Sequence, residues 1–442
     1  MTVRADTPRV TAPRGTRPRA GARAAALIVV LAASLALAAP MGLAPQPAVA
    51  APATHSDAVR DAEYWLDAYG IRSAWATTRG AGVTIAVIDT GVDGTAPELV
   101  GAVVGGGDFS GLGSANGQTP VGADGSEHGT MVASLAAGRG TGASTGVIGS
   151  APEASIMPLS IGFGAGATDS DAQIAKAVRY AVDHGARVIN MSLTRNTLEW
   201  PQSWDDAFLY AMQHNVVIVA AAGNRGSGTT EVGAPATMPG VLTVAGVDTT
   251  GVASFDASSQ GITIGVAAPS EKLVAVVPGG KHVLWNGTSG ATPIVAGIVA
   301  LVMAAHPDLD ANNVIQRVVA TARDAGAAGV DPIYGFGLVN AARAVTAPVS
   351  VVTANPMGDL AQWISVYRRA PATTAPTPVI APSTTPVPVA AAPVSPLGTL
   401  LPTVNLLRNV GIPLGVLLIF TALAVWAVVR AVRQFGATRK TR

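Results

Sequence analysis

Ser289 stands in NGTSGATPIVAG, residues 286–297, a run of small residues that turns into an apolar helical pattern. A serine in that setting has two readings. It is an ordinary helix N-cap with Pro293 in the first turn, or an unshielded nucleophile whose developing negative charge the helix N-terminus favours. A nucleophilic serine needs a base within hydrogen-bond reach, and the chain has six histidines. His184 (AVDHGARV), His214 (AMQHNVV) and His306 (AAHPDL) each close a helical pattern, where a polar or cationic group suits the negative end of the helix dipole. His55 falls in an N-terminal tail, and His282 (GGKHVLW) reads as a turn or strand residue. His128, in DGSEHGTMVASLAAG, opens a helical pattern and is followed by Gly129, which admits the close approach of another backbone. Base and structural readings stand level there.

The elements that must carry these residues are apolar, β-branched runs alternating with amphipathic helical patterns, which points to an α/β fold with parallel strands. Strands are expected at 83–89, 154–160, 187–193, 216–223 and 241–247, and helices at 169–184, 201–213 and 288–305. Near-continuous hydrophobicity in the strands implies burial on both faces. In such sheets ligands sit outside the carboxyl ends of the strands. Asp89, Ser192 and Asn224 close three of the runs, although a strand-terminal Asp or Asn is by default a turn former or cap.

With 442 residues, 49% hydrophobic and 12% charged, the chain is too apolar for a disordered protein. A net charge of +1 gives no electrostatic footprint for nucleic acid, so no nucleic-acid partner is expected. The absence of Cys excludes disulfides, thiolate metal sites and a Cys nucleophile. Arg14, Arg17, Arg19 and Arg23 precede the uncharged run 24–39, and AVA at 48–50 suits a signal peptidase, so residues 1–50 read as a secretory signal peptide, with an uncleaved anchor as the alternative. Residues 409–430 contain a charge-free run long enough to span about 30 Å of hydrocarbon. Arg430, Arg433, Arg439, Lys440 and Arg442 then place the basic tail, 431–442, in the cytoplasm. Before the span, 348–408 reads as a Pro/Thr/Ala-rich stalk. No HExxH spacing or acidic cluster argues for a metal or other cofactor, and Asp93, Asp108 and Asp124 read as loop residues, Asp124 with the option of facing a cleft.

The ordered motifs AVIDTGVD, HGT, VINMSL, AAGN, GTSGATP and YGFGLVNAARAV span 86–345 and resemble those of the subtilisin-like serine proteases. The signal, stalk and terminal helix narrow the resemblance to the mycosin-like subgroup, membrane-anchored proteases of type VII secretion systems. The resemblance implies a subtilisin-like fold over 81–347, preceded at 51–80 by a short extension and the start of the catalytic domain. It implies that Asp89 is the triad acid, His128 the general base, Ser289 the nucleophile and Asn224 the oxyanion-hole side chain. It also implies that a polypeptide substrate adds as a strand along Ser192, Leu193 and Thr194, with Ala222 and Gly223 flooring the side-chain pocket.

Three positions depart from that pattern. Gly290 replaces the usual Met or Phe, which is expected to loosen the nucleophile; Thr194 stands where Gly is common; Glu127 precedes the histidine and is expected to raise its pKa. No folding prodomain is expected between residue 50 and the domain start, and any extension should wrap the domain. The implied function is a membrane-anchored extracytoplasmic serine endopeptidase acting on secreted proteins with type VII secretion. Alternatives are a structural subunit of a secretion complex with dispensable catalysis, and a general cell-surface subtilase.

Overall fold

The computed structural model describes residues 57–122, 125–163, 167, 169–368, 421 and 426. The expected signal peptide, His55, Asp124, the Pro-rich segment from 369, the membrane span and the basic tail lie outside these residues, apart from Thr421 and Trp426, both helical and exposed. Those two belong to a separate unit, 391–442.

The first unit opens with three single-turn helices, α1 (Ala58–Asp61), α2 (Trp65–Ala68) and α3 (Ile71–Ala74). An α/β succession follows: β1 (Thr84–Asp89), β2 (Gly107–Asp108), α4 (His128–Ala137), β3 (Ser155–Ser160), α5 (Ser170–Asp183), β4 (Val188–Met191), α6 (Gln202–Gln213), β5 (Val217–Ala221) and β6 (Leu242–Val247). Next come β7 (Ile264–Pro269), the hairpin β8 (Leu273–Val277) and β9 (Lys281–Trp285), and the helices α7 (Thr288–Ala305), α8 (Ala311–Ala320), α9 (Ala341–Thr346) and α10 (Leu360–Tyr367).

The seven strands of the main sheet pair in parallel in the order β2-β3-β1-β4-β5-β6-β7. Val188–Met191 and Val217–Ala221 are buried at every position, as their unbroken apolar sequence requires of strands covered on both faces. Helices α4, α7 and α8 pack together over one face, and α5 and α6 over the other. β1 lies between β3 and β4, so chain order reverses there and the carboxyl ends of β1 and β4 open onto a switch-point crevice.

α7 is apolar all round and long enough to cross a membrane, yet 89% of it is buried, so it is the central core helix. Its N-cap is Gly287, with φ 144°, and no side chain caps it. Ser289 therefore lies inside the first turn and is not the cap.

All five expected strands and three expected helices form, with no end moved by more than two residues and 288–305 matched at both ends. The unexpected elements are β2, β7, the β8-β9 hairpin and the short or late helices. The expected stalk start at 348 needs correction, because packed structure continues to Arg368. Asn313 exchanges hydrogen bonds with Val352, Asn355 Nδ2 donates to the Gly240 carbonyl, and Asp359 caps α10. Leu360 and Ile364 of α10 are buried, and Arg368 pairs with Asp205 at 3.0 Å. Residues 349–368 thus pair polar groups that would otherwise be left without partners.

Candidate active site

Asp89 ends β1 as a 3% exposed carboxylate whose Oδ1 accepts the Thr90 N–H at 2.7 Å. Its two oxygens lie 2.9 and 3.0 Å from His128 Nδ1. An ionised carboxylate only accepts, so Nδ1 carries the proton and Nε2 presents a lone pair in neutral imidazole. His128 reaches this position because α4 begins against the loop after β1. A Cβ on Gly129 would stand 2.2 Å from the Gly91 carbonyl oxygen, so glycine alone allows that approach. Thr90 Oγ1 fastens the junction, accepting from Gly129 N–H at 3.0 Å and donating to the Ser126 carbonyl at 2.9 Å.

Ser289 enters the same cleft from the first turn of α7. Its hydroxyl donates to the Ser192 carbonyl at 3.1 Å, while Ser192 Oγ donates to the Ser289 carbonyl at 2.8 Å. His128 Nε2 is buried and has no hydrogen-bond partner. The base is thus oriented and vacant, and the hydroxyl is parked on a neighbouring carbonyl in the same cavity of about 350 Å³.

Asn224 follows β5, and its Oδ1 accepts the Thr288 N–H at 2.8 Å. Only the oxygen of an amide accepts, so this bond turns Nδ2 away as a free donor. Burial, the largest influence on His128, lowers its pKa, but the charge and hydrogen bond of Asp89, helped by Glu127, outweigh it and leave the pKa raised.

A serine, a carboxylate-oriented imidazole and an amide donor at the ends of parallel strands make a constellation for acyl transfer. The family model of the subtilase family matches residues 80–337, more than half the chain. The chain belongs to the subtilase family. Within it, this subtilase is 34% identical over 322 residues to fervidolysin of Fervidobacterium pennivorans, covering 65% of this chain but 44% of fervidolysin. It is 36% identical over 273 residues to thermitase of Thermoactinomyces vulgaris, covering 62% of this chain and 91% of thermitase. Among solved structures, MycP1 from the ESX-1 type VII secretion system superposes with a TM-score of 0.57 at 31% identity, covering 67% of this chain and 88% of MycP1. Residues 80–337 of this subtilase are a subtilisin-like serine endopeptidase domain.

Asp89, His128, Ser192, Leu193, Thr194, Gly223, Asn224 and Ser289 all line the one cleft. Ala222 does not: it is fully buried, and Ala221 lines the cleft instead. Successive strand residues face opposite sides, so Ala221 and Gly223 share a face that Ala222 cannot. Leu193 and Thr194 leave β4 with their backbone polar groups unpaired among the described residues, which suits strand addition.

The space beside Gly290 is not left empty by the missing side chain. A Cβ there would lie 2.3 Å from Leu273 Cδ1 and 3.2 Å from Trp285 Cζ2, so the hairpin already fills that space. Trp285 also packs edge-on against the His128 ring, with centroids 5.6 Å apart. Sequence reasoning missed this tryptophan, although its place four residues before Ser289 was a signal. His184, His214 and His306 close α5, α6 and α7 as expected. Among the described residues no group of three or more His, Asp or Glu is placed to hold a metal.

Proposed function

We propose that this subtilase is a membrane-anchored, extracytoplasmic serine endopeptidase that cleaves secreted proteins in association with type VII secretion. The observation that carries the catalytic reading is the Asp89–His128 pair with Nε2 unpartnered in the cleft that holds Ser289. Rotation about the Ser289 side chain transfers its hydroxyl from the Ser192 carbonyl to Nε2, a bond that apo structures commonly leave unmade. Ser289 Oγ then attacks the substrate carbonyl carbon while Nε2 takes the proton, and Asp89 stabilises the imidazolium. The oxyanion is held by Asn224 Nδ2 and the Ser289 N–H at the positive end of α7. The tetrahedral intermediate collapses as Nε2 passes its proton to the leaving amine, and water, activated by the same nitrogen, releases the acyl group.

Support for the secretion context comes from the likeness to MycP1 and from MycP3 of the ESX-3 type VII system, at 33% identity and a TM-score of 0.55. The amino-terminal signal pattern and the charge-free run in 409–430 support the anchoring. The test is labelling of the full-length chain in membranes with a fluorophosphonate probe. The parent should label and Ser289→Ala should not; an unlabelled but folded parent would overturn the catalytic assignment.

A further inference from the structure

Two depressions meet at one pair of side chains. Asn196 and Thr229 line the active cleft, and both also line a second, polar depression of about 300 Å³ that includes Leu198, Glu231 and Val232. Between them the Thr229 hydroxyl is hydrogen-bonded to Asn196 Oδ1. The pair is a partition between the cleft and the surface beyond it.

The partition is fixed from both sides. Thr229 is 5% exposed, its N–H donates to the Asn224 carbonyl at 3.1 Å, and its own carbonyl accepts from Ser259 Oγ. Opposite, the Arg195 N–H donates to the Ala234 carbonyl at 2.8 Å and the Ala234 N–H to the Thr197 carbonyl at 2.9 Å, which pins the residues on each side of Asn196. Thr229 also packs behind Gly223: a Cβ on Gly223 would stand 2.6 Å from Thr229 Cγ2. Moving the wall therefore breaks several buried hydrogen bonds at once, and each group left unsatisfied is costly.

We infer that the Asn196–Thr229 pair closes the pocket for the substrate side chain preceding the cut bond and restricts it to small, uncharged residues such as Ala, Ser or Gly. The inference rests on the proposed peptidase reading. If Asn224 holds the oxyanion, the side chain on the attacked carbonyl's own residue projects over the adjoining Gly223 towards Thr229 and Asn196. The residues lining that end, Thr194, Asn196, Gly223, Ser227 and Thr229, carry no charge. A Lys, Arg, Asp or Glu would be desolvated there without a partner. A Phe or Leu would have to displace the wall.

The experiment measures kcat/KM of the full-length chain on quenched peptides that differ only at the residue before the cut bond, Ala against Phe. Fluorophosphonate labelling counts the folded active sites. The parent should favour Ala by about 10²-fold, and Thr229→Ala and the exposed-loop variant Asn196→Gly should each lower that ratio at least about 10-fold, since a pocket boundary shifted by one methylene is worth that order. A labelled parent that cuts equally well after Phe overturns the wall, whatever the variants do. Labelled variants that keep the parent's ratio overturn it as well. An unlabelled parent fails at the peptidase reading itself, which separates the two failures.

Discussion

At the residue scale the cleft is governed by what each polar atom is already bonded to. Asp89 holds Nδ1, so the whole basicity of His128 is directed through Nε2. Because the His128 pKa is raised, the acid limb of kcat/KM should lie above the ordinary imidazole value of about 6.5. Glu127→Gln removes one of the charges responsible and should move that limb to lower pH; an unmoved limb would show that Asp89 alone sets it. The same shift has a stability sign. A base whose folded pKa is raised contributes stability that is complete below the unfolded pKa and is lost as pH rises through the folded one, so His128→Gln should cost more stability at pH 5 than at pH 9. Asn224→Ala should lower turnover about 10²- to 10³-fold with little change in KM, the magnitude known for the equivalent donor in subtilisin. The motifs around Asp89, His128 and Ser289 were legible because each combines a reactive residue with small neighbours that only a close backbone approach explains. The orientation of Ala222 was not legible: strand alternation sets it, but the run AAAG offers no change of polarity to reveal which face is which.

At the element scale the main departures from the sequence reading are the β8-β9 hairpin and the extension to α10. The hairpin was signalled by PGG, residues 278–280, between two apolar runs, a turn sequence that strand counting passed over. Its consequence is chemical, because Leu273 and Trp285 occupy the space that a side chain at position 290 would need. Gly290→Met should therefore overpack the site and destabilise the domain by about 1–3 kcal/mol. Pairing it with Leu273→Ala should recover part of the loss, and chemical denaturation of the single and double variants would read both numbers. The carboxyl-terminal boundary was hidden for a compositional reason: residues 348–358 share the small, Pro-containing character of the segment that follows Arg368, whereas the Asp-capped DLAQWISVY is an ordinary helix signal. A chain cut after Ala347 loses the partners of Asn313, Gly240 and Asp205 and the buried Leu360. It should melt well below a chain cut after Arg368, whereas a stalk beginning at 348 predicts equal melting temperatures.

At the scale of the whole molecule the question is what the proposed membrane tether would do for a peptidase. From 369 to 408 the proposed tether has 40 residues, rich in Pro and without a long apolar run, and an extended chain of that kind reaches about 120 Å. A tether confines the cleft to a thin shell next to the membrane, and the local concentration of any substrate emerging there rises by simple geometry. The gain falls steeply if the link is removed while the domain is left intact. Cells carrying the chain cut after Arg368 should release a domain that still labels with fluorophosphonate yet processes secreted protein far more slowly per labelled site. Ser289→Ala in the anchored chain should abolish processing at unchanged abundance. Secretion itself supplies the contrast with a structural role: a subunit that only braces a secretion complex would support export equally with Ser289→Ala and with the parent, and would fail when the anchor is cut. The outcome turns on which of two features, the vacant Nε2 in the cleft that holds Ser289 or the proposed carboxyl-terminal span, the cell cannot do without.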